Sequence, residues 1–87
     1  MSVIDAMRER LAVLAPTSVE IIDESARHAG HAGAAGGGGH FRLHIVTPAF
    51  AGRRTMERHR LVYDALGPLM KREIHALSVT ARTPDEA

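Results

Sequence analysis

The chain has 87 residues, of which 45% are hydrophobic and 24% charged, and its formal net charge is +1. This length makes one small domain with a modest core, and the composition is that of a globular protein. The low net charge gives no overall attraction to nucleic acid or to membranes. The lack of cysteine excludes disulfides and thiolate metal ligands and fits a cytoplasmic protein. The N-terminus carries Asp5 and Glu9 and no long apolar run, so we expect no signal peptide or membrane span.

Residues 3–14 are predicted to form an amphipathic helix that covers a sheet. Ser2 and Asp5 suit its N-terminus, apolar residues recur every three or four positions, and Pro16 ends it. Residues 17–23 then favour a first strand, because β-branched side chains are enriched there.

The segment 24–39 (ESARHAGHAGAAGGGG) is too rich in glycine for a helix or a strand interior. It predicts a flexible loop between the first two strands, and loops of this length in compact domains are usually functional or disordered. The spacings of phosphate-binding glycine loops are absent. His28 and His31 offer imidazole nitrogens for a transition metal on a backbone flexible enough to bring the two rings together. A solvent-exposed loop explains the same residues, and spacing alone leaves both interpretations open.

Residues 40–47 (HFRLHIVT) predict a second strand. Phe41, Leu43 and Ile45 alternate with polar positions that include His40 and His44, so the strand has one apolar and one polar face. One loop joins it to the first strand, which favours an antiparallel pair.

Residues 53–80 contain the strongest helical pattern of the chain, followed by a strand at 74–80. Half-apolar or apolar residues predict a buried stripe along the helix. The stripe comprises Met56, His59, Tyr63, Leu66 and Met70. Gly67 and Pro68 should end or kink this helix. Because the helix crosses between two strands, we expect the second and third strands to be parallel.

The predicted order is therefore α-β-β-α-β in a single domain over residues 1–87. It forms an α+β fold in which helices pack on a three-stranded mixed sheet. Residues 84–87 are expected to form a short tail with little structure.

Three further features are candidates for function. His75 opens the third strand on the face of Leu77 and Val79, and on pattern alone it is a partly buried structural histidine. His59 lies on the predicted stripe and has a structural interpretation. A basic cluster near the helix start suits either solvent or phosphate groups, and it comprises Arg53, Arg54, Arg58 and Arg60. No catalytic constellation stands out, and we expect no enzyme.

The order of several short motifs resembles the BolA family. The motifs are Glu24-Ser25 followed by His28, then HFRLHIV, then RHRLVY at 58–63, HAL at 75–77 and Ala81-x-Thr83-Pro84. The resemblance spans roughly residues 19–86. It implies a class II KH-like fold in the same α-β-β-α-β order.

The resemblance also implies a function. BolA-like proteins partner monothiol glutaredoxins of the CGFS type, and the pair bridges a [2Fe-2S] cluster that glutathione also ligates. Carried over by motif, the strand-three ligand is His75, and the loop ligand is His28 or His31. The expected role is iron–sulfur cluster trafficking or iron regulation by an adaptor that is a monomer or weak homodimer when alone and carries no cluster by itself.

The alternative that the family implies is a DNA-binding transcriptional regulator of the stress and morphology type, using the KH-like fold and the basic face of the second helix. The sequence Phe50-Ala51-Gly52-Arg53 lacks the G-x-x-G with which KH domains clamp a nucleic-acid backbone. This departure disfavours KH-type RNA binding and leaves DNA open.

Overall fold

The computed structural model describes residues 2–25 and 39–87. Helix α1 spans Val3–Leu11 and continues as a 3-10 turn at Ala12–Leu14, strand β1 spans Ser18–Asp23, and β2 spans Gly39–Val46. Helix α2 spans Thr55–Leu66, a second 3-10 turn covers Gly67–Lys71, and β3 spans Ile74–Arg82. The predicted element order is confirmed. No helix of the described part is long and apolar enough to cross a membrane.

The strands pair in the order β1-β2-β3. Strand β1 is antiparallel to β2, with Val19 opposite Ile45, and β2 is parallel to β3, with Leu43 opposite Val79. Both directions follow the prediction. The antiparallel pair needs no crossover between its strands, whereas the parallel pair requires one, which α2 provides.

The core lies between the helices and one face of the sheet. Strand β2 alternates strictly, so that Phe41, Leu43 and Ile45 are buried and Arg42 is exposed. Both helices, β3 and the 3-10 turn at Pro48–Phe50 complete the cluster, with Met7, Leu11, Phe50, Val62, Leu66 and Ile74. The opposite face of the sheet carries the exposed Glu20 and Arg42 and the half-buried His44.

Helix α2 ends where the sequence predicts. Gly67 caps it with φ of 55°, a left-handed value that glycine adopts without a steric penalty, and Pro68 starts the 3-10 turn. At the other end of the helix, the Arg54 N–H donates to the Glu57 carboxylate at 3.3 Å. This bond satisfies one of the amides that a helix start leaves without a helical partner.

The predicted buried stripe of α2 is confirmed at Leu66 and wrong at Met56 and Tyr63. Met56 is 76% exposed and Tyr63 38% exposed, whereas Val62 and Leu66 are fully buried. His59 is only half-buried, and its ring meets the edge of Tyr63 at 6.3 Å between centroids. At Tyr63 the inward face therefore lies one position nearer the N-terminus than the pattern indicated, because Val62 is buried instead.

Candidate functional site

Strand β3 opens with an irregularity at His75. Gly39 is opposite Ile74, but the next residue, His40, is opposite Ala76, so His75 is an extra residue with no partner in the register. The backbone hydrogen bonds agree with this irregular register. The carbonyls of Glu73 and Arg82 both point toward β2, although these two residues are an odd number of positions apart. A regular strand alternates its carbonyls, so one bulge must lie between these two residues.

The bulge changes where the His75 side chain lies. Ile74 is 3% exposed and belongs to the core, whereas His75 is exposed. Leu77 and Val79 pack against the core from further along the strand. The expectation that His75 shares their face as a partly buried residue is therefore wrong.

The His40 ring lies beside that of His75. Their centroids are 5.1 Å apart and the ring planes are inclined by 46°. The sequence pattern gave His40 little weight, because it was one of two histidines on a polar strand face. His40 is identified as a neighbour of His75 by the parallel register, in which the start of β2 lies beside the start of β3. Two imidazoles, each able to ligate a transition metal when neutral, thus lie together.

The two ends of the glycine-rich segment lie close to this histidine pair. The Ser25 hydroxyl accepts a hydrogen bond from the His40 N–H at 3.0 Å, and Glu24 N–H donates to the His40 carbonyl at 2.7 Å. Ser25 donates hydrogen bonds from its side chain and its backbone to the Asp23 carboxylate, and these bonds lower the pKa of Asp23. The same bonds hold the chain in place where β1 ends. His28 and His31 lie outside the described residues, but the chain that carries them leaves and returns at this end of the sheet.

Metal binding by this end of the sheet needs more than the described side chains. Within residues 2–25 and 39–87, no three histidine, aspartate or glutamate side chains are grouped so that they hold a metal ion. The imidazoles of His40 and His75 suit iron, zinc or copper as ligand types. Any metal centre here must therefore take additional ligands from the loop, from a partner or from a small thiol.

The predicted basic cluster does not form one uniform surface. The Arg58 side chain is only 14% exposed and forms a bidentate pair with Glu86, at 2.6 and 3.1 Å. Arg53 lies 3.8 Å from the Glu57 carboxylate one helical turn away. Arg54 and Arg60 are exposed. Much of the positive charge at the start of α2 is thus balanced within the chain.

The C-terminal segment is more ordered than expected. Glu86 accepts a hydrogen bond from the Thr83 N–H at 2.9 Å in addition to those from Arg58. These bonds, with the Arg58 side chain as the larger cause, lower the pKa of Glu86 from 4.5 to about 2. The expectation of little structure over residues 84–87 is therefore wrong for Glu86.

The fold and this arrangement define a class: a small α-β-β-α-β domain whose mixed sheet presents a histidine pair beside a glycine-rich connection. Comparison with known proteins gives the family. The model of the BolA-like protein family matches residues 11–86. The chain belongs to that family.

Individual relatives support the assignment. SufE-like protein 1 of Arabidopsis thaliana is 45% identical in an alignment of 86 positions that covers 92% of this chain and 23% of that protein. The DNA-binding transcriptional regulator BolA of Escherichia coli is 33% identical over 87 residues, which are 99% of this chain and 80% of that protein. The solved structure of BolA1 from Arabidopsis thaliana has a TM-score of 0.84 at 35% identity, covering 100% of this chain and 98% of that one.

The chain spans less than a quarter of the length of SufE-like protein 1, so the activity of that whole protein is not transferred to it. The name of that relative places it in chloroplasts and mitochondria. The cytoplasmic location of the present chain stays a prediction.

Proposed function

We propose that this BolA-like protein is an adaptor that binds a monothiol glutaredoxin of the CGFS type and contributes histidine ligands to a [2Fe-2S] cluster shared by the two proteins. The cluster is cargo in iron–sulfur trafficking or an iron signal, and the protein is not an enzyme. The observation that carries the proposal is the exposed imidazole of His75, held outside the regular ladder by a bulge.

The ligand chemistry fits this role. Imidazole replaces thiolate on one iron of Rieske centres and raises their reduction potential, and a chain without cysteine has histidine as its natural cluster ligand. Since a histidine ligand must be neutral to bind, protonation weakens it. A shared cluster also suits a surface on which the described residues supply too few ligands to hold a metal alone.

The second ligand from this chain is proposed to be one of three histidines. His28 and His31 are candidates because the loop that carries them begins and ends beside His75. His40 joins them because its ring lies 5.1 Å from that of His75.

The test mixes the protein with a CGFS glutaredoxin that carries a glutathione-ligated [2Fe-2S] cluster and follows visible circular dichroism. The wild-type protein should change the spectrum, and His75→Ala should not give that change. His44→Ala is the matched control, because this half-buried histidine lies on the same face of β2 as His40 but away from the bulge. Equal spectra and equal cluster lifetimes for His75→Ala and the wild type would refute the ligand assignment.

Three further single variants distinguish the candidates for the second ligand. His28→Ala, His31→Ala and His40→Ala are each mixed with the same loaded glutaredoxin. The variant that loses the spectral change as His75→Ala does identifies the ligand. If all three behave as the wild type, His75 is the sole ligand from this chain.

A second candidate function is DNA binding, because the relative from Escherichia coli is named as a DNA-binding transcriptional regulator. Within the basic cluster at the start of α2, the exposed side chains of Arg54 and Arg60 offer positive charge for phosphate contacts. If this function holds, affinity for duplex DNA falls steeply with salt, and Arg54→Gln together with Arg60→Gln weakens it. Absence of binding at moderate salt would remove this candidate.

A further inference from the structure

The outer edge of β3 carries backbone groups without a strand partner. In the described part of the chain, β3 pairs only with β2. Arg82 directs its carbonyl toward the β2 side, where Thr47 N–H donates to it, whereas the Ala81 carbonyl accepts from Arg58 on the other side. Because successive residues of a strand alternate, Val79 and Leu77 also direct their N–H and C=O groups outward.

Two features that commonly protect an edge strand are absent from this edge after the bulge. Residues 76–81 (ALSVTA) contain no charge and no proline, and both are common protections of an edge strand. Such an edge is a template to which an extended peptide adds as a further strand.

A hollow of about 330 Å³ lies beside the edge, between β3 and the first turns of α2. Thr55, Arg58 and His59 line it from the helix, and Val79 and Arg82 are among its lining residues from the strand. The hollow gives an added segment a place for its side chains, and three of its lining residues are basic.

Arg58 is held in place before any partner arrives. Its Nε donates to the Arg53 carbonyl at 2.9 Å and its Nη1 to the Ala81 carbonyl at 3.1 Å. Nη1 and Nη2 also donate to the carboxylate of Glu86, as does the Thr83 N–H. These donors form a built carboxylate site that the chain fills with its own Glu86, whose side chain is 43% exposed.

We propose that the β3 edge binds an extended acidic peptide segment of a partner protein by strand addition, and that an acidic side chain of this segment replaces Glu86 on Arg58. The donors suit a planar carboxylate, as the bidentate contact with Glu86 demonstrates. A second copy of β3 fits less well, because IHALSVTAR contains no acidic residue to meet Arg58. Glu86 then acts as an internal competitor that weakens binding until it is displaced.

The probe is a fluorescein-labelled peptide of alternating valine and threonine with one glutamate, read by fluorescence anisotropy. Glu86→Gln should bind it roughly threefold to tenfold more tightly than the wild type, because the competing charge is removed. Gln at this position still accepts from the Thr83 N–H, so the turn is retained. Asp85→Asn is the matched control, since it removes a neighbouring exposed negative charge and should leave the affinity unchanged.

Two altered peptides test each half of the proposal. A peptide with glutamine in place of glutamate should not bind Glu86→Gln more tightly than it binds the wild type. N-methylation of alternate peptide amides should abolish binding, because strand addition requires those N–H donors. Arg58→Gln, checked for folding by its far-ultraviolet spectrum, should bind the two unmethylated peptides equally.

Equal binding of the glutamate and glutamine peptides to the Glu86→Gln protein would overturn the proposal. So would unchanged binding of the N-methylated peptide. Sedimentation that shows Glu86→Gln as a dimer would assign the edge to a second copy instead. No glutaredoxin, cluster or DNA is present in these assays. A negative result for peptide binding would therefore leave the adaptor function proposed above untouched.

Discussion

Replacement of Leu66 by alanine is the sharpest test of how α2 packs. Leu66 is fully buried in the cluster that also contains Val62 and Phe50. Removing three carbons from such a site costs the transfer free energy plus a cavity term, in total about 2–5 kcal/mol. We expect a loss of about 3 kcal/mol. A domain of this size has a free energy of unfolding on the order of 4–13 kcal/mol, so the loss is large.

The matched variant is Met56→Ala. Both residues belong to the stripe that the helical pattern assigned to the core, but Met56 is 76% exposed. Its substitution should change stability by no more than about 0.5 kcal/mol.

Urea unfolding followed by far-ultraviolet circular dichroism measures both changes. With a slope near 1.5 kcal/mol per molar urea, Leu66→Ala should lower the midpoint by about 2 M, and Met56→Ala should leave it almost unmoved. Similar shifts for the two variants would refute the packing described for α2, as would a larger shift for Met56→Ala.

Three other variants test single features. Gly39→Ala should destabilise the fold by about 1–3 kcal/mol, because a Cβ there would lie 2.4 Å from the Phe41 ring; calorimetry that finds no loss contradicts this. Gly52→Ala should cost about 1–2 kcal/mol through its φ of +73° alone, since the space around it is open, and Gly52→Asn should cost less in the same urea assay. The pKa of Glu86 is lowered from 4.5 to about 2, so the folded state binds this proton less readily than the unfolded state. The contribution of the Glu86 carboxylate to folding stability is complete above pH 4.5 and is lost as the pH falls toward 2. The melting temperatures of the wild type and Glu86→Gln should therefore converge at low pH.

The order and direction of the elements were predictable because their signals are local. Pro16 follows the 3-10 turn that continues α1, and Gly67 with Pro68 ends α2. The alternation of Phe41, Leu43 and Ile45 identified β2 and its buried face. The packing of the helices on the sheet and the pairing of the strands then follow from a single connection between β1 and β2 and from the crossover helix, without knowledge of distant contacts.

The phase of α2 was not predictable from hydrophobicity. Its inward face includes Arg58, Val62 and Leu66, spaced four residues apart, and a pattern search assigns the first of these to solvent. Arg58 lies inward because two carbonyls, the Glu86 carboxylate and the Phe50 ring at 5.9 Å surround its guanidinium. Two of those partners, Ala81 and Glu86, come from distant parts of the chain, so the helix sequence alone does not reveal them.

The site was predictable only in part. The resemblance to BolA proteins selected His75, but the proximity of His40 depends on the register between two strands far apart in sequence. A one-residue bulge at the start of a strand leaves no mark in composition or periodicity.

The bulge also explains how one strand serves both stability and the candidate site. In a regular β3, a period of two would place His75 on the core side with Leu77 and Val79 and would turn Ile74 to solvent. Burying an imidazole without partners is costly, and exposing an isoleucine forfeits about 2 kcal/mol. The extra residue reverses both positions, so that Ile74 is 3% exposed and His75 is in solvent. The feature that completes the core is thus the same one that frees the proposed ligand.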